Sequence, residues 1–209
     1  MSPTTLVFDL GGVLIDWDPR RAYRQLGGTE AEIDHFLEHV ATSEWNHQFD
    51  AGRPFVEGIA ERKQLFPEHA EWLDAWWSKW PDMLVGSIQE TVNLLAEVRQ
   101  LDIPLYALTN WSAETFPIAR ERFEFLSWFD GIVVSGEVEL AKPDPAIFHR
   151  LISDFSIVPA ESVFIDDTLP NVEIARQLGF TAIHFTTPAA LRTKLTDLGV
   201  LASSNPGAL

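Results

Sequence analysis

Asp9 closes a short apolar run, Leu6-Val7-Phe8, and Leu10-Gly11-Gly12-Val13-Leu14-Ile15-Asp16 follows it. The run reads as a buried strand, and an acid at the end of a buried strand is costly unless it is paired or bound to a metal. The alternative is a turn acid that accepts hydrogen bonds from nearby amides. Three further polar groups follow in the same setting: Thr109-Asn110 after an apolar strand, Lys142 in Lys142-Pro143-Asp144-Pro145, and Asp166-Asp167 after another strand. In a parallel sheet all four would emerge at one edge, where open α/β sheets keep their ligand crevices. Three carboxylates converging there suit a hard divalent cation such as Mg²⁺, which takes carboxylates, waters and phosphate oxygens. Lys142 and the Thr109 hydroxyl would complete a pocket for a phosphate dianion. Taken singly, a Thr-Asn or Asp-Asp after a strand is an ordinary helix N-cap; the series of four carries the argument.

The elements that must position these groups alternate in type. After Leu6–Phe8, the sequence predicts strands at Ile103–Leu108, Gly131–Val134, Ser162–Ile165 and Thr181–Phe185. Helices are predicted between them at Ser87–Leu101, about Ala113–Phe123, Pro145 to about Asp154, and Pro170–Leu178. This alternation predicts an α/β fold: a Rossmann-like doubly wound, mostly parallel sheet with right-handed crossovers. Residues 17–85 read differently. Asp18-Pro19 opens a helix, Thr29 to Glu32 is a capping box, and further helices are expected near Pro54–Leu65 and Glu68–Trp80. No strand signal appears between Trp17 and about Gln100. The expected organisation is a core of residues 1–16 and 86–201, an all-helical insertion over 17–85, and a frayed tail over 202–209. Trp72, Trp76 and Trp80 recur at helical spacing with Trp77 beside them, which reads as a buried helix face rather than a ligand platform.

The chain has 209 residues, no Cys, and a formal net charge of −16 from 15 basic and 31 acidic residues. Disulfides, thiolate metal sites and cysteine nucleophiles are excluded. So acidic a chain argues against nucleic acid or anionic membrane as partners, since both recruit basic surface. The N-terminal residues lack a basic leader, and no stretch is long and apolar enough for a membrane span. The expectation is a cytoplasmic protein, monomer or homodimer, that acts on a small molecule. An anionic substrate would need a local positive device, such as a metal or a buried lysine.

The motifs Asp9-Leu10-Gly11-Gly12-Val13-Leu14, Leu108-Thr109-Asn110, Lys142-Pro143-Asp144-Pro145 and Asp166-Asp167 with Asn171 behind them resemble those of the haloacid dehalogenase superfamily over almost the whole chain. The helical insertion resembles that family's C1 cap. The resemblance implies a Mg²⁺-dependent phosphatase acting on small phosphate monoesters, sugar phosphates among them, through an aspartyl-phosphate. It implies Asp9 as nucleophile, Thr109 and the Asn110 amide holding phosphoryl oxygens, and Lys142 neutralising nucleophile and phosphate. Asp9, the Gly11 carbonyl, Asp166 and Asp167 would hold the metal, Asp167 the more directly. One position departs: most phosphatases of the superfamily carry an acid two residues after the nucleophile, where this chain has Gly11. Without it, about 10²- to 10⁴-fold of general acid–base catalysis is unassigned. Three outcomes stay open: a slow enzyme, a substrate with an easy leaving group such as an anomeric sugar phosphate, or a substitute from the insertion, with His47 and Asp50 the candidates.

The chief rival is metal-independent hydrolysis of a 2-haloacid by the same Asp9. It needs no acid at position 11, but members with that chemistry usually lack paired acids like Asp166-Asp167. His35-Phe36-Leu37-Glu38-His39 matches a zinc-protease pattern without a third ligand. A non-catalytic phospho-ligand binder is the remaining alternative. Trp17, Trp45, Asn46, His47, Phe49, Asp50 and Trp111 are the candidates for substrate contact.

Overall fold

Leu6, Val7 and Phe8 are fully buried, as a strand covered on both faces must be, and this run is the centre of the sheet. A computed structural model describes residues 3–202; positions 203–209 of the expected frayed tail lie outside the described residues. In chain order the first elements are β1 (Thr5–Phe8) and β2 (Ile15–Trp17). Six helices follow: α1 (Pro19–Gln25), α2 (Glu30–His35), α3 (Ser43–Asp50), α4 (Phe55–Leu65), α5 (Ala70–Ser78) and α6 (Trp80–Met83). Then come β3 (Leu84–Ser87), α7 (Gln89–Arg99), β4 (Leu105–Thr109), α8 (Phe116–Arg122), β5 (Gly131–Val134) and α9 (Ser135–Val138). The chain continues through α10 (Pro145–Phe155), β6 (Ser162–Asp166), α11 (Leu169–Gln177), β7 (Thr181–His184) and α12 (Pro188–Asp197).

Five strands form one sheet in the order β5-β4-β1-β6-β7, and every neighbouring pair is parallel. The expected doubly wound α/β sheet is what the chain forms. β1 lies between β4 and β6, with Phe8 level with Ala107 on one side and Ile165 on the other. The strand order reverses here, so the ends of β1, β4 and β6 open on one crevice. Alternation within β1 splits the apolar core. Leu6 and Phe8 join the larger cluster, which continues into the helical insertion, and Val7 joins a second cluster with Leu108, Ile147, Phe148 and Phe164.

The local signals hold where a capping side chain carries them. Asp18 caps α1 ahead of Pro19, the Thr29–Glu32 capping box forms in full, and Asp144 caps α10 ahead of Pro145. Several features depart from expectation, β2 and α9 among them. Leu84–Ser87 is a strand, pairing antiparallel with β2 at the base of the insertion; four residues with a single buried side chain leave too little alternation to read. The helix expected over Glu68–Trp80 breaks into a short 3₁₀ turn, α5 and α6. Pro81, near the start of α6, lacks the N–H needed to continue α5 as one helix. Finally, α12 was not foreseen, because only Leu191 and Leu195 of its ten residues are buried.

The tryptophan stripe packs into the core at Trp76, with Trp72 half-buried against it and Trp80 also bordering a cavity. Trp76 is 1% exposed and Trp80 5%, whereas Trp77, off the stripe, is 41% exposed. Gly58 of α4 lies under the Phe49 ring, which sits 2.4 Å from where an alanine Cβ would stand. Gly58→Ala is therefore expected to cost about 1–3 kcal/mol by overpacking, read from the midpoint of urea unfolding. Among the described residues no helix is long and apolar enough to cross a membrane.

Candidate active site

The crevice is organised by Lys142, which arrives from the segment after α9 and is 1% exposed. Its Nζ lies 3.0 Å from Asp9 Oδ1 and 2.7 Å from Asp166 Oδ2, and donates to the Leu108 carbonyl at 2.8 Å. A buried ammonium needs this many acceptors to offset desolvation. The Asn110 side chain fixes its backbone, donating Nδ2 to Lys142 O at 2.8 Å and accepting from Lys142 N at 2.8 Å. The amide of Asn110 is thus committed to holding Lys142, which leaves its main chain to face a ligand.

The acids are held in different ways. Asp9 Oδ1 accepts from Leu10 N at 2.7 Å. Asp166 accepts from Thr168 N at 2.8 Å and from Asn171 Nδ2 at 3.0 and 3.1 Å, in addition to Lys142. Asp167 is the exposed member, and its backbone carbonyl faces His184 Nε2 at 2.9 Å. One carboxylate oxygen from each of the three lies within 4.8 Å of the others. Burial pushes the Asp9 carboxyl up to about 7, against the pull of Lys142 and with the push of Asp166 and Asp167. Asp167 is raised by burial and then by Asp166. Burial pulls Lys142 down, but Asp9 and Asp166 outweigh it and raise the ammonium above its ordinary range. Two of the three crowded carboxyls share one ammonium and Asp167 stands outside that pairing, and an all-oxygen cluster of this kind fits a hard divalent cation.

Gly12 makes room for this cluster. A Cβ there would lie 2.1 Å from Asp167 Oδ2, and its φ of +69° is in the left-handed region. Gly12→Ala is expected to destabilise by about 1–2 kcal/mol and to displace Asp167; chemical denaturation checks the first effect. Gly11 has nothing within 4 Å of an added Cβ, so position 11 has space for a side chain that the sequence does not supply.

Thr109 Oγ1, at the end of β4, is buried without a hydrogen-bond partner among the described residues. Such a group is costly unless a ligand completes it. Two adjoining cavities meet at Gly11, Asn110 and Asp167. One, of about 570 Å³, is lined by Asp9, Lys142, Asn171 and His47. The other, of about 310 Å³, is walled by Trp17, Trp80 and Trp111 with Asn46 and Asp50. Asp9, Gly11, Asn110, Lys142 and Asp167 therefore line one continuous space, with Trp111 and Asn46 at its wall; Asp166 reaches it through Lys142, and Thr109 ends β4 beside Asn110. Trp45 and Phe49 line neither cavity: they pack on each other in the core of the insertion, with Trp45 also against Trp76. The Gly11-Gly12 pair after Asp9 marked Gly12 in the sequence. Sequence reasoning missed Trp80 as a wall, His184 behind Asp167, and Ser135, whose Oγ accepts from Trp111 N at 2.8 Å.

His35 and His39 stack at 4.6 Å on the insertion, and His39 Nδ1 meets the His35 carbonyl at 3.1 Å. Among the described residues, Asp9, Asp166 and Asp167 are the one group of three such donors close enough to share an ion. The zinc-protease pattern is a helix face.

Known proteins resemble this chain in sequence and fold. The family described as haloacid dehalogenase-like hydrolase matches residues 3–179. The chain is 27% identical over 194 residues to the sesquiterpene phosphatase astK of Aspergillus oryzae, covering 92% of this chain and 94% of that one. It is 24% identical over 204 residues to the D-ribitol-5-phosphate phosphatase of Bacteroides thetaiotaomicron, covering 91% and 96%. The magnesium complex of a HAD family enzyme from Bacteroides thetaiotaomicron superposes with a TM-score of 0.69 at 22% identity, covering 90% of this chain and 95% of that one.

Proposed function

The chain belongs to the haloacid dehalogenase-like hydrolases, and we propose that it is a phosphatase of small phosphate monoesters that works through Asp9. The observation that carries this reading is the Lys142 ammonium between Asp9 and Asp166 beside the unpartnered Thr109 hydroxyl. That combination supplies a nucleophile, a buried cation and a free donor in one crevice. Asp9 attacks phosphorus, the P–O bond to the leaving alcohol breaks, and the phosphoryl group rests on the Asp9 carboxylate. Water then attacks phosphorus, and the Asp9–phosphate bond breaks to release inorganic phosphate. Lys142 offsets the negative charge of nucleophile and phosphoryl oxygens, and Thr109 Oγ1 with the main-chain N–H groups of this loop orients those oxygens. Asp9, the Gly11 carbonyl, Asp166 and Asp167 fit Mg²⁺, with Asp167 the most direct side-chain ligand beside Asp9, since Asp166 is already bound by Lys142, Thr168 and Asn171. When bound, Mg²⁺ supplies charge neutralisation for the phosphoryl group.

Residues 17–85 act as a cap that excludes water and carries substrate contacts. The named substrates of the two relatives differ widely, one a sesquiterpene and the other a sugar alcohol phosphate. The cavity beside the nucleophile favours the second chemistry. The wall of Trp17, Trp80 and Trp111 suits the C–H surface of a polyhydroxylated skeleton, and the Asn46 amide suits its hydroxyls. Phosphate release from sugar and polyol phosphates, a prenyl monophosphate and p-nitrophenyl phosphate, with Mg²⁺ and with EDTA, tests the reading. Mg²⁺-dependent release with preference for the polyhydroxylated substrates is expected. Undiminished release in EDTA would remove the metal assignment, and preference for the prenyl ester would remove the sugar assignment.

A further inference from the structure

Position 11, where an acid would have the space to stand, carries no side chain. Across the same cavity stands Asp50, at the last turn of α3, lining it together with Gly11, Asn110 and Asp167. We propose that Asp50 is the general acid and base of this enzyme, delivered from the helical insertion in place of the missing acid at position 11. The inference rests on the phosphatase reading. In the first step the Asp50 carboxylic acid gives its proton to the leaving oxygen as the P–O bond breaks, so that the alcohol departs neutral. In the second the Asp50 carboxylate takes a proton from the attacking water as the Asp9–phosphate bond breaks, and the acid is restored.

Its surroundings suit the part. Asn46 Nδ2 donates to Asp50 Oδ2 at 3.1 Å and fixes the carboxyl within the helix. The Ser112 amide also reaches it, and burial, the larger influence, pushes it up to about 7. No cation offsets this. The nearby cations are engaged elsewhere: Arg53 with Gln48 and Glu61, Arg62 with the Val40 and His39 carbonyls, and Lys63 with Asp74. Asp167 stands across the cavity, Glu139 lies against Gly52 beyond α3, and Glu114 accepts from Phe55 N at 2.7 Å. A carboxyl near neutrality can both give and take a proton at working pH. Ordinary structural acids of a cap are paired with Arg or Lys, as Asp18, Glu30 and Asp34 are here; Asp50 faces the cavity without one.

Asp50→Asn tests the role because its consequence depends on the leaving group. With an alkyl phosphate such as glycerol phosphate, whose alkoxide needs a proton, phosphoryl transfer is expected to slow by about 10²- to 10⁴-fold. With p-nitrophenyl phosphate the rapid first burst of p-nitrophenolate is expected to survive, while steady turnover falls because the water has lost its base. The alkaline limb of the alkyl-phosphate pH profile near neutrality should vanish in the variant, and Gly11→Asp in the Asp50→Asn background should restore alkyl turnover. An equal loss on both substrates, confined to KM, would make Asp50 a reader of substrate hydroxyls and overturn the proposal. An unchanged rate on both would do the same. Because Asp50 is raised, the folded state loses stability as pH rises from the ordinary carboxyl range to about 7 and keeps that full penalty above it, so Asp50→Asn should melt no lower than wild type at alkaline pH. If the variant does not fold, the wild-type dependence on leaving-group acidity decides: a shallow slope that steepens above neutrality supports a proton donor, and a uniformly steep one refutes it. Abolished turnover in Asp9→Asn with no leaving-group effect of Asp50→Asn would refute this proposal alone.

Discussion

Asp9→Asn is expected to lower turnover by at least about 10⁴-fold, the scale seen when a covalent nucleophile is removed. The side chain keeps its shape, so the hydrogen bond from Leu10 N is available to the Asn oxygen, and Lys142 retains Asp166 at 2.7 Å and the Leu108 carbonyl. The fold should survive. Burial already penalises the charged form of Asp9, and Asp166 and Asp167 add repulsion, so removing its charge offsets part of the lost ion pair. We expect a stability change within about 1 kcal/mol, measured by urea unfolding on the same preparation used for phosphate release. A folded Asp9→Asn protein with more than a few per cent of wild-type turnover would contradict the role given to Asp9.

Lys142→Met is the second large effect, and it differs in kind because it strikes both stability and chemistry. The methionine fills the same volume but leaves Asp9 and Asp166 buried without their shared cation. Breaking a buried ion pair from one side costs about 3–5 kcal/mol, since the abandoned charges remain desolvated. Asn110 still holds the main chain at position 142, so the loss should be local to the crevice. Turnover should fall by about 10³-fold or more, as the phosphoryl oxygens lose a preorganised positive charge. Lys142→Arg should not rescue it: a guanidinium is wider than the ammonium that Asp9, Asp166 and the Leu108 carbonyl close around. Unfolding midpoints and single-turnover rates check both parts, and a Lys142→Met protein as stable and as active as wild type would refute the ion-pair account.

Much of this crevice was legible because the groups that build it are local. Asp9, Thr109 and Asp166 each close an apolar run that must be a buried strand, and the parallel sheet carries them to one edge; Lys142, expected just past a strand, reaches that edge instead from the segment after α9. Helix starts were legible wherever a capping side chain announced them, as at Asp18, Thr29 and Asp144. What was not legible depends on partners distant in sequence. β3 exists because β2 pairs with it, across the helical insertion. Trp45 and Asn46 are adjacent and looked alike as substrate contacts, yet the helix turns one into the core and the other toward the cavity. Nothing local reveals that Asn110 spends its side chain on the Lys142 backbone, or that His184 on the last strand braces Asp167. The absence at Gly11 was visible at once. Which acid compensates for it needed the cavity to bring Asp50 opposite.

The central claim is that phosphate passes through a covalent bond to Asp9, and mass spectrometry of rapidly quenched enzyme tests it most directly. Wild-type protein mixed with excess p-nitrophenyl phosphate and Mg²⁺, then quenched in acid and digested, should show one phosphoryl group on the peptide that contains Asp9. The same peptide from Asp9→Asn should be unmodified. Multiple turnovers with no phosphoryl adduct, or an adduct on another residue that persists in Asp9→Asn, would contradict the account.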